Sequence, residues 1–385
     1  MKQYQRGNLS LALRGVIAAV VVAAAVGPDA LTPARAAGDV IRIGCFMPLS
    51  GPLTQYGNEM KAGMDLAVKD FEASGKLPAG VKIRLECEDS QGKPAEGVTI
   101  ARKFVGDDGI KVVIGGFSSS VTMSGASSYD MGKLVHITPI SSHPDITKLS
   151  PWVFRMSTTQ RQVQDVDTDY ALALGRKKVA AIAAPNDWGH AVMSNFKKFF
   201  DQKGGKVVFD EFSQPGQDDF KPILTKMKRS NPDMLFVGLY APDAARFVKQ
   251  AEQTGLGKVP TLLTVANFTE DFLHLAGSAA EGKYVPMTYN MKDARTAEWV
   301  NRWTKAHGRR PNLFQINPYN TTTLVLQIIA KQYPHLTRDG IRKALESVDT
   351  FDGVGGRFTY DHKTREWSFP MYRGVIRDGA FHLYE

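Results

Sequence analysis

The chain has 385 residues, 43% of them hydrophobic, with two cysteines and 48 Lys and Arg against 39 Asp and Glu. The formal charge of +9 is spread without a Lys/Arg run or a basic stripe interleaved with aromatics, which argues against a nucleic-acid-binding surface. A single hydrophobic core rarely serves so long a chain, so two domains are expected.

Lys2, Arg6 and Arg14 precede an uncharged, Ala- and Val-rich run at 15–26. About a dozen apolar residues suit a signal-peptide core and fall short of the roughly 20 that a spanning helix needs. The same shortness argues against a retained signal anchor. Ala34 and Ala36 stand at small-residue spacing, so residues 1–36 read as a signal peptide cleaved after Ala36. The mature chain is then expected outside the cytoplasm, with a charge of about +6. Cys45, the first cysteine, has Arg42 three residues before it where a lipoprotein signal wants an apolar residue, so no lipid anchor is expected.

From residue 40 the pattern alternates strand and helix. Strand-length apolar runs fall at 40–49, 81–87, 111–117 and 134–140, with helical periodicity between them at 59–71 and 95–105. An extended stretch, 151–157, leads to a second series with strands at 177–185, 205–212, 233–240, 260–265 and 283–289. Its helices are expected at 189–203, 218–230, 242–254 and 269–276. Two such series imply an α/β fold of two doubly wound parallel-sheet lobes. Helices near 295–307, 318–332 and 337–347 follow, then a β-rich tail at 351–385 expected to return to the lobes already built. Cys45 and Cys87 end two strands expected to be neighbours. A disulfide and a pair of small buried hydrophobes both remain open.

In open α/β sheets ligands gather beyond the carboxyl ends of strands, which directs attention to the loops there. After the first strand comes PLSGPLTQYG with Tyr56, and after the third GGFSSSVT, three hydroxyls entering a helix. Serines at a helix start suit an anion such as a carboxylate, although one of them alone is also an ordinary N-cap. ITPISSHPDIT presents Ser141 and Ser142; the second series adds Trp188 in PNDWGH and Tyr240 in GLYAPD. Large aromatics at equivalent strand ends outline a cleft wall. Catalytic motifs are missing: GFSSS lacks the second glycine of G-x-S-x-G, and neither G-x-x-x-x-G-K-[ST] nor H-E-x-x-H occurs. The eight histidines have no metal-ligand spacing. No enzyme activity, cofactor or metal is expected.

IRIGCFMPLSGPLTQYG, KVVIGGFSSS, ITPISSHPDIT, NDWGHA and AEGKYV, in that order over essentially the whole mature chain, resemble the type 1 periplasmic binding proteins, in particular the leucine/isoleucine/valine-binding branch of ABC importers. The resemblance implies lobes of 37–157 with 285–355 and 158–284 with 356–385, joined by a multi-strand hinge near 156–160, 282–286 and 353–358. It implies a periplasmic monomer that closes on a small molecule, in the first place a branched-chain or related amino acid, and serves an inner-membrane permease. Ser119 would hold a ligand carboxylate through hydroxyl and backbone, Ile140 would offer its carbonyl, and Ser142 its hydroxyl. Trp188 and Tyr240 would close over the ligand, with Tyr56 and Phe117 lining its side-chain pocket. One departure concerns ligand class. Amino-acid binders of this branch carry an acid for the ammonium just after the strand ending near Val265, where this chain reads Val265, Ala266 and Asn267. Either Glu270 or another acid substitutes, or the ligand has no ammonium; the family also takes amides, urea and aromatic carboxylates. A ligand sensor of the same fold, or an exported hydrolase using Ser118 or Ser119, are the rival readings.

Overall fold

In the computed structural model residues 39–214 and 216–384 are described. The expected signal peptide and its cleavage site lie outside these residues. Two sheets carry the fold. The first is built from β1 (Val40–Met47), α1 (Thr54–Ala73), β2 (Lys82–Asp89), α2 (Pro94–Val105), β3 (Val112–Gly115), α3 (Ser119–Ser124), α4 (Ala126–Met131), β4 (Val135–Thr138) and β5 (Val153–Arg155). Its strands run in the order β2-β1-β3-β4-β5, all parallel. β3 and β4 are buried on both faces, which explains their unbroken apolar runs.

The second series comprises α5 (Gln160–Ala173), β6 (Lys178–Ala183), α6 (Asp187–Gln202), β7 (Lys206–Phe212), α7 (Lys221–Arg229), β8 (Met234–Gly238), α8 (Ala241–Gln253), β9 (Thr261–Leu263), α9 (Glu270–Ala276) and β10 (Tyr284–Met287). The chain continues through α10 (Ala294–His307), α11 (Leu313–Gln332), α12 (Arg338–Glu346), β11 (Thr350–Gly353), β12 (Gly356–Asp361), β13 (Glu366–Ser368), β14 (Tyr372–Arg377) and β15 (Ala380–Leu383). The second sheet runs β15-β14-β10-β9-β8-β6-β7, parallel except for the β10-β14-β15 edge.

After β10 the chain returns to the first sheet. α11 packs along α1, and Arg302 and Tyr319 both hydrogen-bond Asp70 of α1. Arg338 donates to the carbonyls of Val105, Asp107, Ile110 and Gly132. The tail divides. β14 and β15 join the second sheet as expected, whereas β11, β12 and β13 form a small antiparallel sheet of their own. Buried Arg155 of β5 holds that sheet to the first by pairing with Glu366 at 3.0 Å. Arg365 adds bonds to the carbonyls of Thr147, Ser150, Pro151 and Val153.

Two helices begin where local apolar periodicity marks no start. α5 lies between the extended stretch 151–157 and the strand expected at 177–185, where no element is expected; Thr159 and Gln162 form a capping box, each bonding the other's backbone N–H. α11 starts at Leu313 rather than near 318, because Asn312 and Gln315 form a second box. Pro318 then sits inside the helix. The question of the cysteines is settled by register: β1 pairs Cys45 opposite Cys87, with Cα atoms 4.3 Å apart and a disulfide between them.

Candidate ligand-binding site

Strand order reverses between β1 and β3 in the first sheet and between β6 and β8 in the second. The loops leaving these four strands diverge there and open a crevice in each sheet. In both lobes an aromatic–glycine pair begins the helix after the first strand, Tyr56–Gly57 and Trp188–Gly189. A side chain at Gly57 would stand 1.8 Å from the carbonyl oxygen of Pro48, and one at Gly189 would stand 1.9 Å from that of Ala184. Each helix therefore meets its strand end closely, and the preceding aromatic is held at the crevice.

The two crevices share one cavity. From the first lobe it is lined by Phe117, Ile140 and Ser142, and from the second by Trp188, Tyr240, Val265 and Ala266. Ser157, Thr158 and Gln160 enter from the crossing into α5, Thr288 from the end of β10, and Leu313, Phe314 and Asn317 from α11. Trp188 stacks on Tyr240 with ring centroids 4.5 Å apart, and Phe117 lies 5.5 Å from Tyr240. The two lobes thus touch through aromatic faces.

Five of the seven expected residues line this cavity: Phe117, Ile140, Ser142, Trp188 and Tyr240. The other two stand behind its wall. Tyr56 stacks on Phe117 at 4.7 Å, and its hydroxyl accepts the N–H of Ala241 at 3.0 Å, a direct bond from α1 to the start of α8. Ser119 is buried, and its hydroxyl accepts the N–H of His143 at 3.2 Å, fixing the loop after β4 to α3. The carbonyl of Ile140 accepts the hydroxyl of Ser157 at 3.1 Å.

Residues from the α5 and α11 starts escape a reading of strand ends alone. Their signals are the two capping boxes, Thr159–Gln162 and Asn312–Gln315, which place Gln160 and Leu313 at the first helical positions.

Among the described residues the wall contains no Asp, Glu, Lys, Arg or His. Val265 and Ala266, at the positions compared above with an ammonium-binding acid, line the wall, while Asn267 donates to the carbonyl of Leu239 at 3.1 Å. Glu270 does not substitute: it accepts the N–H of Arg310 at 3.0 Å and borders a separate cavity with Phe268, Tyr289 and Phe381. Asp271 is engaged by Gln55 and by Arg309 at 3.3 Å. Arg309 also reaches Glu59 of α1 at 3.2 Å, and Asn312 donates to the same carboxylate at 3.2 Å. This second polar cluster joins α1 to α9. Burial pushes the Glu59 carboxyl up to about 7, against the opposing pull of Asn312 and Arg309.

Comparison with known proteins agrees with this geometry. The family model described as periplasmic binding protein matches residues 40–380, and the chain belongs to that family, whose members are solute-binding proteins. Its relatives lie in the leucine/isoleucine/valine-binding branch. Leu/Ile/Val-binding protein homolog 1 of Brucella suis is 27% identical over 84% of this chain and 86% of its own length. The leucine-, isoleucine-, valine-, threonine- and alanine-binding protein of Pseudomonas aeruginosa is 26% identical over 87% of this chain and 90% of its own. Among solved structures, a solute-binding protein of an ABC transporter from Rhodopseudomonas palustris, in complex with 3,4-dihydroxybenzoic acid, is 25% identical. It covers 90% of this chain and 96% of that one, with a TM-score of 0.81.

Proposed function

We propose that this chain is the exported solute-binding component of an ABC import system and that its ligand is an aromatic or similarly flat apolar carboxylate, or the corresponding amide. The observation that carries the ligand class is the cavity wall: stacked aromatics and neutral dipoles, with no carboxylate among the described residues to meet an ammonium group. An ammonium buried without a carboxylate costs several kcal/mol, whereas a carboxylate or amide oxygen can be met by neutral hydroxyl and amide donors, so a zwitterionic amino acid is disfavoured there. Hydroxyls and amides of Ser142, Thr158, Gln160 and Asn317 suit an oxygen acceptor and leave the aromatic faces for the ring. The relative crystallised with a dihydroxybenzoic acid supports this choice.

A second reading, a branched-chain or related amino acid, draws on the relatives named as binding leucine, isoleucine and valine. In both readings capture proceeds by hinge closure. The two lobes swing together until Trp188 and Tyr240 meet Phe117, the β11–β13 sheet moving with the first lobe that Arg155 and Arg365 hold it to, and the permease reads the closed form. Residues 1–36 serve export to the periplasm and are removed after Ala36, and the mature chain acts as a monomer.

The test is calorimetric titration with 4-hydroxybenzoate, benzamide, L-leucine and L-phenylalanine. Binding of the benzoate or the benzamide with no heat from the two amino acids is expected. Tight leucine binding with neither aromatic bound would overturn the ligand class and restore the second reading.

A further inference from the structure

Gln160, Gln164 and Asp167 stand at i, i+4 and i+7 on α5, one stripe of the helix running inward from the ligand cavity. None is exposed: Gln160 is 3% accessible, and Gln164 and Asp167 are fully buried. Gln160 Nε2 donates to the Ser142 hydroxyl at 2.7 Å, and Gln164 Nε2 donates to Gln160 Oε1 at 2.9 Å. The backbone supports the first link, since the Gln160 N–H donates to the Ser142 carbonyl at 2.9 Å. Asp167 interacts with Gln164 at the inner end.

That inner end is short of a proton. Gln164 Oε1, Asp167 Oδ1 and Asp167 Oδ2 are all buried acceptors with no donor among the described residues. An ionised carboxylate placed there, with no cation paired to it, would carry its full desolvation cost; such groups neutralise instead. A proton on Asp167 supplies the missing donor to Gln164 Oε1. Burial acts in the same direction and outweighs the opposing pull of Gln164, raising the Asp167 carboxyl well above its ordinary value.

We infer that Asp167 is a positioning residue, a neutral acid whose proton sets one direction for the chain Asp167–Gln164–Gln160–Ser142, so that Ser142 presents its hydroxyl proton to an acceptor oxygen of the ligand. The reverse polarity is the alternative. With Asp167 ionised, both amides turn over, Gln160 accepts the Ser142 proton, and Ser142 offers a lone pair to a ligand N–H. The choice between carboxylate oxygen and ammonium at Ser142 is thus made two helical turns away. This inference rests on the reading of the Ser142 cavity as the ligand site.

The experiment compares wild type, Asp167→Asn and Asp167→Leu. Infrared difference spectra of wild type minus Asp167→Asn at neutral pH report the carboxyl directly. The carbonyl stretch of a protonated acid is expected; a carboxylate band in its place overturns the inference. Calorimetry with 4-hydroxybenzoate is the second readout. Asn supplies an N–H to Gln164 without charge and is expected to hold affinity within about threefold, while Leu removes the donor and lowers it roughly five- to tenfold. Loss in Asn as large as in Leu also overturns it. Should the Leu variant fail to fold, the infrared result decides. If no probe binds wild type, the proposed ligand class fails while the spectrum still reads Asp167.

Discussion

The ligand cavity and the Glu59 cluster both join the first lobe to the second, yet among the described residues the cavity wall holds no Asp, Glu, Lys, Arg or His, whereas the cluster gathers Glu59, Asp271 and Arg309. The difference follows from desolvation. Arg309 keeps 40% of its side chain exposed and loses little hydration, while the cost of burying Glu59 appears in its raised carboxyl. A charge on the cavity wall would be stripped of water on every closure and repaired only by a ligand of opposite charge. Charge in the cluster sits beside a hydrated guanidinium; the cavity wall offers only neutral dipoles and aromatic faces.

The largest test of this contrast removes an aromatic. Trp188→Ala takes away the partner stacked on Tyr240 and is expected to weaken 4-hydroxybenzoate binding by about 2–4 kcal/mol, read by calorimetry. Unchanged affinity would place the ligand elsewhere.

Next is the buried acid of the cluster. The folded-state value of Glu59, about 7, lies above its ordinary 4.5, so between those limits the folded state holds a proton that the unfolded chain has released. Its contribution to stability is therefore complete below about pH 4.5 and lost as pH rises through 7. Urea unfolding from pH 5 to 8 should show this loss, on the order of 2 kcal/mol, in wild type and not in Glu59→Gln. An identical pH slope in both proteins would remove Glu59 from the account.

A smaller effect is expected from Arg309→Met, about 1 kcal/mol against the closed state. Small-angle scattering should then give the ligand-free variant a larger radius of gyration than wild type; equal values would mean that the cluster does not bias closure. The smallest belongs to Glu270→Ala. With its carboxylate on the backbone of Arg310 and away from the cavity, ligand affinity should change by less than about 0.5 kcal/mol. A large loss would put an acid back in the site.

The strand ends are legible in the sequence because a parallel sheet buried on both faces leaves continuous apolar runs, and the residue types that follow such runs are few. Phe117, Ile140, Ser142, Trp188 and Tyr240 stand out in this way, and all five line the cavity. The helix starts of α5 and α11 are less visible. Their apolar positions are interrupted by buried polar residues, Gln160, Gln164 and Asp167 in one and Gln315, Asn317 and Asn320 in the other. Periodicity counts such residues as solvent-facing. The β11–β13 sheet is equally hidden, since its attachment depends on Arg155 and Arg365 reaching across more than 200 residues of sequence.

The sequence by itself determined the two-series α/β plan, the loops that form the crevice and the lack of an acid beside Val265, because these depend on residue type and local order. Tertiary structure alone decided that Glu270 and Asp271 are engaged elsewhere, that Tyr56 and Ser119 brace the wall from behind, and that Cys45 faces Cys87. It also decided that three acceptors midway along α5, on Gln164 and Asp167, are buried with no donor among the described residues. Such facts depend on which side chains arrive at one point from distant parts of the chain, and on how much water remains there once they have arrived.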